Sequence, residues 1–331
     1  MTQTTTIATL RSDEKIATWL DELNRIGPPE TPRPIPDGDA LASALDYLNV
    51  PEDDHATVTR LRETLLADDA LAGITQRAVN QLLQIMDVIA DPVDFPVMPD
   101  TLGELAPFFH LYTYLAVLPD TIALHQKRGI DDATSRAIMA DIGRNMLVHR
   151  KRHGTHGLAA PDWLMLHPRG MIYAFGRFQF ERAHIGEDLA ARLQAQGIAA
   201  NADDIGLSLH IPDFMGSLSS DAWDRSFADA RTFFADHFPE EKIRIVWCNS
   251  WLLDPQLRDY LTPTSNIIDF QNHFRDIVPG AWNNQGPLRF TFGPADLPLD
   301  DYPQETTLQR AVITHIRDGK TWTGGVGWVT L

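Results

Sequence analysis

The stretch from residue 206 to 274 constrains this chain more than any other. GLSLHIP (206–212) alternates, with Leu207, Leu209 and Ile211 against Ser208 and His210. That is the period of a strand with one apolar and one polar face. DFMGSLSS (213–220) carries turn residues, and DAWDRSFADARTFFADHF (221–238) sets Trp223, Phe227, Ala230 and Phe234 at helical spacing. After PEEK, IRIVWCNSWLL (243–253) alternates again, with Ile243, Ile245 and Trp247 against Arg244, Val246 and Cys248. A short helix near 255–261 and SNIIDFQNHF (265–274) complete the stretch. A strand, a loop opening a helix and a return strand make a βαβ unit with a right-handed crossover. Such sheets bind ligands where strands end and helices begin.

The loop invites two readings. Ser219 or Ser220 is an N-cap, with Asp221 in the first helical turn. A Gly–Ser loop opening a helix presents free backbone N–H groups and the positive dipole end, a cradle for phosphate. Glycine and serine are also ordinary turn residues.

The remainder divides by texture. Residues 1–11 read as a loose tail. Helices are expected at 12–25, 39–48, 52–67, 70–90, 102–118 (ended by Pro119), 120–127 and 131–151, with proline-rich breaks at 27–38 and 91–100. From 153–161 onward strands begin. WLMLHPRGMIYAFGRFQFERAHIG (163–186) reads as a hairpin turning at His167, Pro168, Arg169 and Gly170. Residues 188–196 are amphipathic, LRFTFG (288–293) reads as a strand, 305–318 as a helix and TWTGGVGWVTL (321–331) as a glycine-rich strand. The expected class is α+β: an all-helical domain over 1–130, then a mixed α/β sheet domain of about six strands over 131–331.

Composition excludes some functions. A net charge of −17 argues against a general nucleic-acid binder, though a few local arginines can still hold a small anion. Cys248 is the sole cysteine, so there is no disulfide framework or cysteine zinc site, which suits a reducing cytoplasm. The N-terminus lacks the basic and apolar regions of a signal peptide. The longest apolar run, 107–119, is interrupted by His110 and is too short to span a bilayer. There is no GxSxG, GxxxxGK[ST] or HExxH, and TGGVG (323–327) lacks dinucleotide-binding spacing.

Several side chains carry chemistry. His210, near a strand end, is either a general base or a strand histidine bonding a neighbour. Cys248 and Ser250 share one strand face and Asn249 takes the other. If the two strands are neighbours, His210 can approach Cys248 or Ser250 and activate a nucleophile; equally, a free cysteine is a common buried residue. Arg177, Gln179 and Glu181 line one hairpin face, which is either an acceptor site, with Glu181 holding an amine, or a solvated surface. Asn266, Gln271 and His273 are caps or pocket residues. HRKRH (149–153) either complements a helix dipole or clamps an outlying phosphate.

In LHIP, GSL, AWDRSFADARTFFADHFPEEK, CNSWLLDPQLRDYL, SNIIDFQNHF and GRFQFE the chain resembles the GNAT-like acyltransferases with a helical N-terminal extension, known mainly from bacteria. The catalytic-type half of the resemblance covers 131–331 and the helical extension covers the rest. The resemblance implies that residues 207–212 form the strand before the pyrophosphate loop and 213–220 the loop itself. Residues 243–249 would be a partner strand that splays away to admit pantetheine and the acyl group. It implies acyl-CoA as co-substrate, with no metal, held by Ile211, Gly216, Ser217, Leu218, Ser219, Ser220 and Asn249. It implies a small-molecule amine acceptor near Arg177, Gln179, Trp251 and Asn266, and no nucleic-acid or membrane partner. His210, or a water it orders, would deprotonate the acceptor amine, Glu181 would count among the catalytic residues, and an acid near Cys248 or Ser250 would protonate the leaving thiolate. Homo-oligomers are allowed. One departure stands out. The family loop reads Arg/Gln-x-x-Gly-x-Gly/Ala, whereas DFMGSLSS has one glycine, no Arg or Gln, and Asp213, whose charge disfavours a pyrophosphate unless it points away. Two other classes stay open: a non-catalytic ligand-binding sensor on the same fold, and a hydrolase using Cys248 or Ser250 with His210.

Overall fold

A computed structural model describes residues 3–89, 93–158, 160–213 and 215–331. The chain forms two compact units, Met1–Met171 and Ile172–Leu331, dividing later than the expected boundary after residue 130.

The first unit is helical: α1 (Gln3–Leu10), α2 (Glu14–Ile26), α3 (Gly38–Tyr47), α4 (Glu52–Leu66), α5 (Asp69–Gln84), α6 (Phe109–Lys127), α7 (Asp132–Met139), α8 (Asp141–His153) and α9 (Pro161–Leu164). α1 replaces the expected tail because Thr6 and Leu10 are buried and Thr6 donates to Asp68 at 2.9 Å. α2 starts where Asp13 accepts from Lys15 N and Ile16 N, and it buries Ile16, Trp19, Leu20 and Leu23. α6 runs through Pro119 instead of ending there. A proline forfeits one backbone bond, but Thr121, Leu124 and His125 beyond it are buried, and Thr121 Oγ1 donates to Pro168 O at 2.9 Å. Met139, Ile142, Met146, Leu158, Leu164 and Met165 share the core of the earlier helices, which is why the unit extends past residue 130. The expected first hairpin arm is α9 and turns. Pro161 opens the helix, and Arg169 Nη2 ties the turn to Val88 O at 3.1 Å within this unit.

The second unit comprises β1 (Ile172–Phe175), β2 (Phe178–His184), α10 (Gly186–Ala195), β3 (Ile205–His210), α11 (Ser220–His237), β4 (Ile245–Ser250), α12 (Asn266–His273), β5 (Arg275–Pro279), α13 (Gln285–Phe292), α14 (Thr307–Arg317) and β6 (Gly325–Thr330). They make a six-stranded sheet of order β1-β2-β3-β4-β6-β5, with β3 and β4 parallel as the βαβ pattern requires. The hairpin turns at Gly176 and Arg177, not at residues 167–170. Gly176 has φ 56°, and a Cβ there would stand 2.8 Å from Ser226 Oγ, so the turn requires glycine. Residues 288–292 belong to helix α13, not a strand, and Gly293 caps it: Leu288 and Phe292, four apart, pack into one cluster with Tyr302. β5, unforeseen, pairs with β6 through Arg275↔Trp328 and Val278↔Val326.

Register separates the two sheet faces. Phe180↔Leu209 and Leu207↔Val246 put Phe178, Phe180, Leu207, Leu209, Val246 and Cys248 on one face. There Phe178 and Phe180 meet Phe227 edge-on at 6.5 and 5.4 Å, and Trp223 stacks on Phe227 at 4.0 Å. Gln179↔His210, Glu181↔Ser208 and Ser208↔Trp247 put Gln179, Glu181, Ser208, His210, Trp247 and Asn249 on the other. No helix among the described residues is long and apolar enough to cross a membrane.

Candidate active site

The parallel pair β3/β4 is bridged only at Leu207↔Val246 and Ser208↔Trp247. β3 nevertheless stays with β2 as far as Gln179↔His210, and β4 stays with β6 as far as Ser250↔Gly325. The sheet therefore splits at the carboxyl ends of its two parallel strands. The two strands diverge past Ser208 and Trp247, and each presents unbridged backbone groups to the gap, a template for an extended ligand carrying amides.

The loop from β3 to α11 borders this gap. Gly216 has φ 86°, and Ser219 caps α11 by accepting from Ala222 N at 3.4 Å. Arg177, at the hairpin turn, gathers the loop: Nε donates to Gly216 O and Nη1 to Pro212 O, both at 2.9 Å. Its own N–H is held by Ser226 Oγ at 3.0 Å. Burial lowers the Arg177 pKa, and the nearby Asp213 carboxylate opposes that shift. The acid flagged in the loop is thus answered by a guanidinium. From the other side α12 braces the loop: Asn266 Nδ2 donates to Ser217 Oγ and Ser220 Oγ to Asp269 Oδ2, both at 2.5 Å. Arg177 and Asn266, expected against an acceptor, both hold the loop in this structure.

On the polar sheet face His210 Nε2 lies 2.8 Å from Glu181 Oε2, a diagonal cross-strand pair with both side chains about a quarter exposed. A carboxylate accepting from Nε2–H leaves the basic lone pair on Nδ1 and steadies the imidazolium once formed. Gln179, directly opposite His210, is 2 % exposed, and its Nε2 has no hydrogen-bond partner among the described residues. It is a buried donor that a ligand oxygen would satisfy.

The structure corrects the nucleophile reading. Because Ser208 pairs with Trp247, His210 shares its face with Asn249, while Cys248 and Ser250 point the opposite way. Cys248 is fully buried, and burial pushes its thiol pKa far up, away from thiolate chemistry. Ser250 Oγ accepts from Leu252 N at 3.1 Å as a turn cap. Trp251, expected to touch substrate, is 5 % exposed and packs with Leu257, Leu261 and Ile268. Neither Cys248 nor Ser250 meets His210, so no hydrolase dyad forms. Asn249 does face the open side, where its Oδ1 accepts from Trp282 Nε1 at 2.8 Å. Ile211 and Leu218 lie half-buried on the loop.

Sequence reasoning passed over Trp282. Its signal was the cluster of glycines around it: a Cβ on Gly324 or Gly286 would come within 2.4 or 2.5 Å of the indole. It also passed over Asp269 and Asp254, polar residues whose partners lie far along the chain.

Two family models match the chain: an N-acyltransferase N-terminal domain over residues 39–170 and a GNAT-like C-terminal domain over 172–329. The solved structures similar over 100 % of both chains include three acyltransferase complexes. One is an acyltransferase in complex with decanoyl-CoA and teicoplanin, at 35 % identity and TM-score 0.86. Another is an acyltransferase in complex with CoA and 10C-teicoplanin, at 33 % and 0.88. The third is an acyltransferase mutant in complex with octanoyl-CoA, at 34 % and 0.87. No curated protein matches the chain. Matched by both family models and similar over its whole length to these structures, the chain belongs to the GNAT-like acyltransferase family.

Proposed function

We propose that the protein is an N-acyltransferase that moves an acyl group from acyl-CoA to an amine on a small-molecule acceptor. The observation that carries this reading is the split between β3 and β4 beside the His210–Glu181 pair. The residues fit acyl-CoA. The unbridged strand edges suit the amides of pantetheine, and the Ser219-capped start of α11, with the amides of Gly216, Ser217, Leu218 and Ser220, suits a pyrophosphate. Arg177 offsets the charge of Asp213. Acyl-CoA is the co-substrate. Relatives in complex with teicoplanin support a small-molecule acceptor.

In this reading His210 Nδ1 takes the proton of the acceptor ammonium or of the attacking amine, directly or through water, and Glu181 stabilises the imidazolium. The freed amine attacks the thioester carbonyl, whose developing oxyanion is met by backbone N–H groups of the split strands. The intermediate collapses with cleavage of the C–S bond, and the leaving thiolate receives the proton that the nitrogen still carries, directly or relayed by the His210 imidazolium or water, to give the amide and free CoA. A Cys248 acid has no part in this, because the thiol faces away and stays protonated. The buried Gln179 amide donates to an oxygen of the bound substrates. A lone cysteine suits a cytoplasmic enzyme, and the reading is compatible with a homo-oligomer.

The test is acceptor-dependent release of free CoA from octanoyl- and decanoyl-CoA with a panel of amines, beside His210→Ala. Loss of a general base removes about 10²–10⁴-fold of rate, so kcat should fall by at least about a hundredfold with acyl-CoA affinity kept. An unchanged His210→Ala would remove the base assignment; failure of wild type to bind any acyl-CoA would remove the function.

A further inference from the structure

A cavity of about 510 Å³ opens beside Asn249 in the second unit, and Trp282, Asn283, Gln285, Arg289 and Phe290 line it. Its size is that of a small-molecule site. Three features mark it as built. The first is rigidity: Trp282 is wedged among Gly280, Gly286 and Gly324, its Nε1–H fixed on Asn249, and it meets Phe290 edge-on at 5.9 Å. The second is charge. The chain carries 45 acidic residues, yet none lines this cavity, and the exposed Arg289 has no side-chain partner among the described residues. An unpaired guanidinium among aromatic edges and amides favours a planar anion on an aromatic body. The third is position. Asn249 lies on the same sheet face as His210, and each stands two residues beyond the last bridge, Ser208↔Trp247. A ligand seated here reaches the split strands from the His210 side.

We infer that this cavity is the acceptor subsite and that it takes an aromatic carboxylate: Arg289 pairs the carboxylate, Trp282 and Phe290 bracket the ring, and the amine of the same molecule points toward His210. The inference rests on the acyl-transfer reading for the word acceptor and on the cavity itself for the ligand chemistry.

Calorimetric titration with hippurate, an aryl-bearing carboxylate, and with its uncharged primary amide separates the parts. Wild type should bind hippurate at least about tenfold more tightly than the amide, the contribution of one charge-assisted pair. Arg289→Gln should lose that preference, and Trp282→Leu should weaken both probes. Equal binding of the two probes by wild type, or an unchanged preference in Arg289→Gln, overturns the assignment. Octanoyl-CoA is titrated into the same proteins. Affinity unchanged by Arg289→Gln supports an acceptor role, whereas a parallel loss would assign Arg289 to a cofactor phosphate and overturn it. Hippurate binding by a wild type that ignores octanoyl-CoA would leave the cavity's chemistry standing and remove the acyl-transfer reading instead.

Discussion

Asp254 should be the most costly single polar residue to alter in the second unit. Its side chain is 0 % exposed. Oδ1 accepts from Gln256 N at 2.9 Å; Oδ2 accepts from Thr323 N at 2.7 Å and Gly324 N at 2.8 Å. The carboxylate thus joins the turn after β4 to the residues that lead into β6, beside the indole of Trp282. A hydrogen bond to a charged group contributes about 1.5–3 kcal/mol, and an orphaned buried N–H adds its own cost. Asp254→Asn keeps the volume. If its remaining oxygen stays with Thr323 and Gly324, the new NH₂ faces Gln256 N, so one bond is lost and two lose their charge: about 2–3 kcal/mol. Asp254→Ala strands all three backbone donors, which amounts to about 4–6 kcal/mol after partial relaxation. Urea unfolding of the full chain measures the order. Amide exchange of residues 321–326 locates it, since both variants should accelerate exchange there far more than in the helical unit. A loss under about 1 kcal/mol for Asp254→Ala, or an Asn variant worse than the Ala variant, would refute the reasoning.

Four further outcomes follow from the geometry. His110 sits among Trp19, Phe95 and Phe109 with Nε2 donating to Pro96 O at 2.7 Å, and burial lowers its pKa to about 4; burial also takes His125 to about 4. Unfolded histidines protonate first on acidification, so stability held above about pH 6.5 should be lost as pH falls toward 4, by up to about 3 kcal/mol for each group; a urea midpoint that rises over that window would contradict it. Glu181→Gln should lower kcat about tenfold or more with little change in KM for acyl-CoA, because it removes the carboxylate that steadies His210. Cys248→Ala should keep most activity, and thiol reagents should leave the folded wild type active; rapid inactivation would reverse the face assignment. Arg177→Met should free the carbonyls of Pro212 and Gly216 and raise KM for acyl-CoA about tenfold, the energy of one charge-assisted bond, with kcat nearly kept.

What could be read in advance followed from periodicity, and what could not followed from pairing. Alternation in GLSLHIP and helical spacing in AWDRSFADARTFF gave β3 and α11 to within a residue or two, because those patterns record which side of an element is buried. LRFTFG misled because six alternating residues also place Leu288 and Phe292 on one helical side, and tertiary packing against Tyr302 decided the matter. Cys248 and Ser250 were set beside His210 for want of a register. Alternation says only that Cys248 and Ser250 share a face; which residue of β3 stands opposite Trp247 decides whether His210 shares it.

The loop shows the same limit from the other side. The absence of an arginine in DFMGSLSS was plain in the sequence, and so was the unwelcome Asp213. The compensation was invisible because it comes from Arg177, which lies 39 residues before Gly216 and reaches the loop only because β1 and β2 turn at Gly176. A hairpin turning at residues 167–170, as the HPRG motif suggested, would have placed Arg177 in mid-strand, pointing out of the sheet. The turn glycine, whose Cβ would collide with Ser226, is therefore what puts a guanidinium on the carbonyls of Pro212 and Gly216. It follows that Gly176→Ala should mimic Arg177→Met in raising KM for acyl-CoA, although residue 176 bears no functional group. Unaltered KM in a folded Gly176→Ala protein would show that the clamp does not depend on the turn.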